Sequence, residues 1–170
     1  MQPSDVLGTV CDRLVGGVMF HLEHADLCEW LGVEWLADLH KEGYEHDSEC
    51  LRKMRHLSVK HLGMFVPEGR QERGHVLDAF RQQKSWDVKH DVRMTALNDA
   101  MHDWVDWESG TVTVLTSACK RLSDCGCLLL SDKVRKIAKD TSDELAEARA
   151  LLLRMESANW DMTYVLEMHD

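Results

Sequence analysis

Proline is nearly missing from this chain, with two in 170 residues, and glycine is sparse at ten. Both residues weaken helices, so their scarcity leaves room for long unbroken ones. Long apolar runs are missing too. No segment approaches the roughly 20 consecutive apolar residues that cross a bilayer, so no membrane partner is expected. Met1 to Asp5 carries no basic stretch leading into an apolar one, so no secretory leader is expected. Positive charge is in deficit: 20 Lys and Arg stand against 30 Asp and Glu, for a net charge of -10 at pH 7. That balance argues against nucleic acid or anionic lipid as a partner. There is no internal repeat and no low-complexity tract. A phosphate-cradling loop is absent, since Gly16-Gly17 lacks a following Lys or Ser/Thr. No strand-turn-helix elbow presents a Ser or Cys nucleophile.

What is present reads as one helical domain over residues 1–170. Hydrophobic residues make up 44% of the chain, enough for a substantial core, and Leu, Ala, Glu, Lys and Met are favourable in helices. Ten His is a high count, and it directs the search for chemistry. Of six Cys, Cys11, Cys28 and Cys50 fall on apolar stripes and read as reduced, buried side chains of a cytoplasmic protein. Cys125 and Cys127 flank Gly126 in a turn; such a pair can bind metal or oxidise, though idle loop thiols are commoner.

Apolar residues recur at alternating spacings of four and three along four stretches, the pattern of helices with one buried side. The first stripe is Leu7, Cys11, Leu14, Val18, His21, Ala25, Cys28, after a Ser4 N-cap and up to Gly32. The second is Leu36, His40, Gly43, Asp47, Cys50, Met54, Leu57, His61, closed by Gly63 and Pro67. The third is Met94, Leu97, Met101, Trp104, Glu108, Thr111, Leu115, Ala118, Leu122, with a kink expected where Ser109 to Val114 combine glycine and β-branched residues. The fourth is Ile137, Thr141, Glu144, Ala148, Leu151, Met155, Ala158, Met162. The helices are expected at about 5–31, 33–62, 88–123 and 130–165. Residues 63–87 are long for a helix connection and could run the length of a helix of about 40 Å. The fold class is therefore all-α: an antiparallel four-helix bundle with a long crossover between the second and third helices.

Each stripe carries a polar residue near its middle. Acids and imidazoles at facing core positions build metal sites inside helix bundles, because unpaired buried charges need a partner. The candidates are His21, His46, Asp47, Glu108, Glu144 and Glu147, with Glu23, His24, His40, Asp103 and Asp106 close by. Such a donor set suits iron or manganese, and zinc less well. Each residue also has a plainer role. His21 could be a hydrogen-bonded core histidine. His40, His46 and Asp47 could sit on a solvated edge if Leu39 takes the core position. Glu108 could end a helical segment before Gly110. Glu144 could form a capping box with Thr141.

The helix lengths and the short, long, short connections over residues 5–162 resemble the ferritin-like superfamily. Locally, Leu39-His40-Lys41-Glu42-Gly43-Tyr44-Glu45 resembles the second helix of a ferritin subunit. The resemblance implies a divalent ion held inside the bundle, ferroxidase or iron-storage activity, and a homo-oligomer. Its di-metal pattern includes two Glu-x-x-His pairs, and none lies in the middle of the second or fourth helix here. His46-x-x-Glu49 has the order reversed, and Glu144 is followed at the fourth position by Glu147. The alternatives are a His-based zinc or nickel centre, as in DinB-like bundles, or a metal-free scaffold or interaction subunit. Most of the six Trp read as core or subunit-interface residues.

Overall fold

The computed structural model describes residues 2–63 and 90–168. These form five helices: α1 (Pro3–Leu31), α2 (Glu34–Leu62), α3 (His90–Asp124), α4 (Leu128–Ser157) and the short α5 (Met162–Leu166). No strand occurs among the described residues. Apart from Gly63, the expected crossover lies outside the described residues.

Helix boundaries follow local chemistry. α1 starts before Ser4: Pro3 occupies the first turn, where its missing N–H costs nothing, and the Gln2 N–H donates to Asp5 Oδ2 at 3.0 Å. Gly32 ends α1 at φ 79°, a conformation glycine adopts without strain, and the Val33 N–H donates to Cys28 O at 2.9 Å. That tight turn makes α1 and α2 antiparallel neighbours.

Two expected features of the later helices give way. No break interrupts α3 at Ser109 to Val114. The Thr111 hydroxyl donates to Trp107 O and the Thr113 hydroxyl to Ser109 O, which accommodates the β-branched residues within the helix. The fourth helix, expected to about 165, does not continue unbroken that far. α4 stops at Ser157, because Asn159 and Trp160 turn left-handed at φ 50° and 57°. The Asp161 carboxylate then caps α5, and the Trp35 indole N–H donates to Val165 O, tying α5 to α2.

The core is built in layers. One apolar layer joins the C-terminal part of α1, the start of α2, the first half of α3, the end of α4, and α5, with Leu36, Leu97, Met101 and Met155 at its centre. The other gathers the opposite ends, with Leu7, Leu14, Met54, Leu115 and Leu122. α1 packs against α2 and α3, and α3 against α4. Between the two layers lie buried polar side chains, including His21, His40, Asp47 and Glu108. No helix among the described residues is long and apolar enough to cross a membrane.

Leu97 is fully buried in the first layer, whereas Leu153 is 63% exposed. Leu97→Ala should cost about 2–5 kcal/mol in urea denaturation, and Leu153→Ala should stay within about 0.5 kcal/mol. Equal effects would contradict this placement of the core.

Candidate metal centre

Three side chains from three helices converge in the polar layer. His21 of α1, Glu108 of α3 and Glu144 of α4 each offer a ligand atom, and these atoms lie within 4.8 Å of one another. His21 Nε2 stands 3.2 Å from Glu108 Oε1. From α2, His46 Nδ1 comes within 3.3 Å of Glu144 Oε1 and 3.8 Å of Asp47 Oδ1. Asp47 is buried close enough to feel the charges of His21, Glu108, Glu144 and Arg13. Glu147, one turn beyond Glu144, faces solvent and stands outside the group. Glu23 and Asp106 are likewise outside it.

Missing side chains make this convergence possible. A Cβ on Gly43 would stand 2.7–2.8 Å from the His21 ring atoms, and one on Gly17 would overlap the Asp47 carboxylate. Each glycine thus admits a polar group from the facing helix. Trp107 closes the other side of α1, with its ring edge over Gly16 and its face stacked on Phe20 at 5.1 Å. The Arg13 guanidinium lies 3.5 Å above the Trp107 ring and donates to Trp107 O and Thr111 Oγ1.

The imidazoles form a second tier. His21 Nδ1 and His40 Nδ1 are 3.1 Å apart, so one carries the proton they share. If His40 donates, the His21 proton sits on Nε2 and faces Glu108. If His21 donates, its Nε2 lone pair faces the carboxyl, and a proton or a cation must lie between them. His24 donates through Nδ1 to Phe20 O at 2.8 Å, which leaves the Nε2 of its neutral form as an acceptor 3.2 Å from Asp103 Oδ2. Glu108 Oε1, His46 Nδ1, His24 Nε2 and Asp103 Oδ2 are all buried without an aligned hydrogen bond. Buried polar atoms are normally satisfied, so this concentration of orphans marks the layer as incomplete without a proton or a cation.

Burial dominates the electrostatics. It raises Asp47 to about 8, with Glu108 and Glu144 adding repulsion while His21 and Arg13 oppose it. It raises Glu108 to about 7, opposed by the nearby Trp104 indole and by Arg13. Glu144 rises to about 8 through burial and then the charge of Glu108 and its neighbouring acids. His21 falls to about 4 through burial, against the pull of Asp47, and burial likewise holds His40 well below the usual histidine range. A group of acids that are costly to ionise, beside imidazoles that stay neutral, has the donor chemistry of a divalent-cation site.

The residues the sequence passes over act through the facing helix: Asp140 Oδ2 approaches His46 Nε2 at 3.8 Å, and Arg13 braces Trp107. His40, one of the neighbouring candidates, touches His21. Glycine on a core stripe, as at Gly43, was the available signal of a close approach. The capping reading of Glu144 fails, because α4 runs through both residues and Thr141 donates back to Ile137 O. The solvated-edge reading of His40 and Asp47 fails as well, since both are buried. No protein-family profile matches the chain, and no curated protein matches it.

Gly43→Ala should displace the His21 ring and destabilise the protein by about 1–3 kcal/mol in urea denaturation; an unchanged midpoint would refute the close approach. Asp47, Glu108 and Glu144 hold protons in the folded state that the unfolded chain releases near the ordinary values of 3.8 for Asp and 4.5 for Glu. Their stabilisation is therefore complete at low pH and lost as pH rises through 7 to 8. The depressed imidazoles act oppositely, but only below their usual value of 6.5. Between pH 6.5 and 8 the Tm of metal-free protein should fall by at least about 3 °C. A flat or rising calorimetric Tm would contradict the raised carboxyls.

Proposed function

We propose that this protein is a ferritin-like four-helix bundle that binds a divalent ion, iron or manganese before zinc, in the polar layer between its two apolar layers. The observation that carries the reading is the convergence of His21, Glu108 and Glu144 from three helices within 4.8 Å, beside orphaned buried atoms. His46 and Asp47 complete the donor set from α2, and Glu147 adds negative charge outside it. Donors held at about 2.0–2.2 Å in tetrahedral geometry stand about 3.3–3.6 Å apart. Capture would thus draw the widest-spaced of these side chains inward by up to roughly 1.5 Å, within the reach of rotamer adjustment.

In this reading α1 and α4 run opposite to α2 and α3, and residues 63–87 form the crossover between α2 and α3. The activity is iron oxidation or iron storage, as the resemblance implies, with the acidic surface concentrating Fe²⁺. The protein works in the cytoplasm as a homo-oligomer. The buried thiols of Cys11, Cys28, Cys50 and Cys119 fit a reducing compartment, and exposed Leu22, Leu128, Leu129 and Leu153 supply apolar surface for self-association.

One observation favours a second reading, a metal-free scaffold. Carboxyls that keep protons near neutrality, beside neutral imidazoles, can form an uncharged interior that needs no ion.

Anaerobic Fe²⁺ titration separates the two. The wild-type chain should take up metal tightly, and its thermal stability should then rise with pH, because the ligands bind deprotonated. Glu108→Gln and Glu144→Gln, which keep shape but remove charge, should each weaken binding by at least about tenfold. Uptake unchanged in the double variant, or no uptake by the wild type, would favour the scaffold.

A further inference from the structure

A cleft of about 710 Å³ opens between α2 and α4, and its composition differs from that of the rest of the molecule. Its walls are apolar, formed by Cys50, Met54 and Leu57 of α2 and Ile137 of α4. Cys50, Met54 and Ile137 are otherwise part of the second apolar layer, so the cleft reaches into the core. The volume falls within the range of about 300–1,000 Å³ typical of small-molecule sites.

Around the mouth stand Arg52, Lys53, Lys133 and Lys136, with His56 beside them. Lys53 is paired with Glu49 at 2.6 Å. Among the described residues, no ion pair engages Arg52, Lys133 or Lys136. In a chain of net charge -10, this gathering of cations runs against the overall field. Such a rim sets a local positive potential that selects anions from solution. Where the seam meets the polar layer the lining includes the half-buried His46 and Asp140, and His46 Nδ1 is 3.3 Å from Glu144.

We propose that this cleft binds an amphipathic organic anion, a carboxylate or phosphate head on an unbranched apolar body. The head pairs with Lys133, Lys136 and Arg52 at the mouth. The body lies against Met54, Leu57 and Ile137, and its far end approaches His46. Charge complementarity selects this occupant: a neutral apolar molecule would leave the cations unused, and a small polar anion would leave the walls wet. Binding does not depend on the metal reading, because neither the cations nor the apolar wall belongs to the His21, Glu108, Glu144 group. If both readings hold, the cleft brings an organic substrate to the edge of the metal centre.

The test is calorimetric titration of the full chain, stripped of metal by chelation, with decanoate and decyl phosphate. Decanol and acetate serve as controls for body and head alone. At least one of the two anions should bind saturably with one site per chain, at least about tenfold more tightly than either control, as expected when charge-assisted hydrogen bonds hold the head. Lys133→Glu with Lys136→Glu, both on exposed positions, should weaken that binding by at least about tenfold while leaving Tm in place. Repeating the titration after metal loading separates the two readings, since failure to load metal leaves the anion result standing. Absence of saturable binding by both anions overturns the proposal, as does equal affinity for decanol or an unchanged affinity in the double variant.

Discussion

Placing several acids and imidazoles in one buried layer is the constraint around which this molecule is arranged. Apolar packing above and below the layer holds the helices in register. The layer itself opposes folding unless its groups are neutralised, because ionised carboxyls lose several kcal/mol of solvation on burial. His21 and Glu108 are each about 2% exposed, so water cannot relieve the cost. Neutralisation comes from protons, from a cation, or from both in turn. Any cation entering the layer would therefore compete with protons for the same oxygen atoms.

The surrounding structure works to keep these groups together. Gly17 and Gly43 remove the side chains that would push Asp47 and His21 away from the α1–α2 seam. Trp107 and Phe20 wall off the layer, and Arg13 braces Trp107 while its charge favours ionised Asp47 and Glu108. His40, His24 and Asp103 extend the polar network toward the α1–α3 seam. The network is closed on that side by stacked rings, with His24 lying 3.8 Å from Phe20.

On the α2–α4 side the construction is the reverse. Those helices approach through long side chains rather than through glycine, with His46 reaching to Glu144 and Asp140. The cleft follows from this looser seam, and the cations at its mouth follow from Lys and Arg on two adjacent helical faces. One side of the polar layer is thus closed by aromatic packing, and the other borders the cleft through His46 and Asp140.

Much of the helical layout was legible in the sequence, because a helix records its buried side in its own periodicity. The stripes through His21, Asp47, Glu108 and Glu144 each required a core position for a polar residue, and His21, Asp47 and Glu108 are buried as the stripes imply. Local signals were less decisive. Ser4, the Ser109–Val114 stretch and the Thr141–Glu144 pair all suggested boundaries or a kink that the helices override, since packing along a long helix outweighs one capping preference. Which polar residues meet was decided by tertiary structure alone. The spacing of Glu147 from Glu144 looks like a ligand pair, yet Glu147 faces solvent, while His40 reaches His21 from another helix. Periodicity determines the face a residue occupies. Only the rotation and depth of neighbouring helices determine which atoms on those faces come within bonding distance.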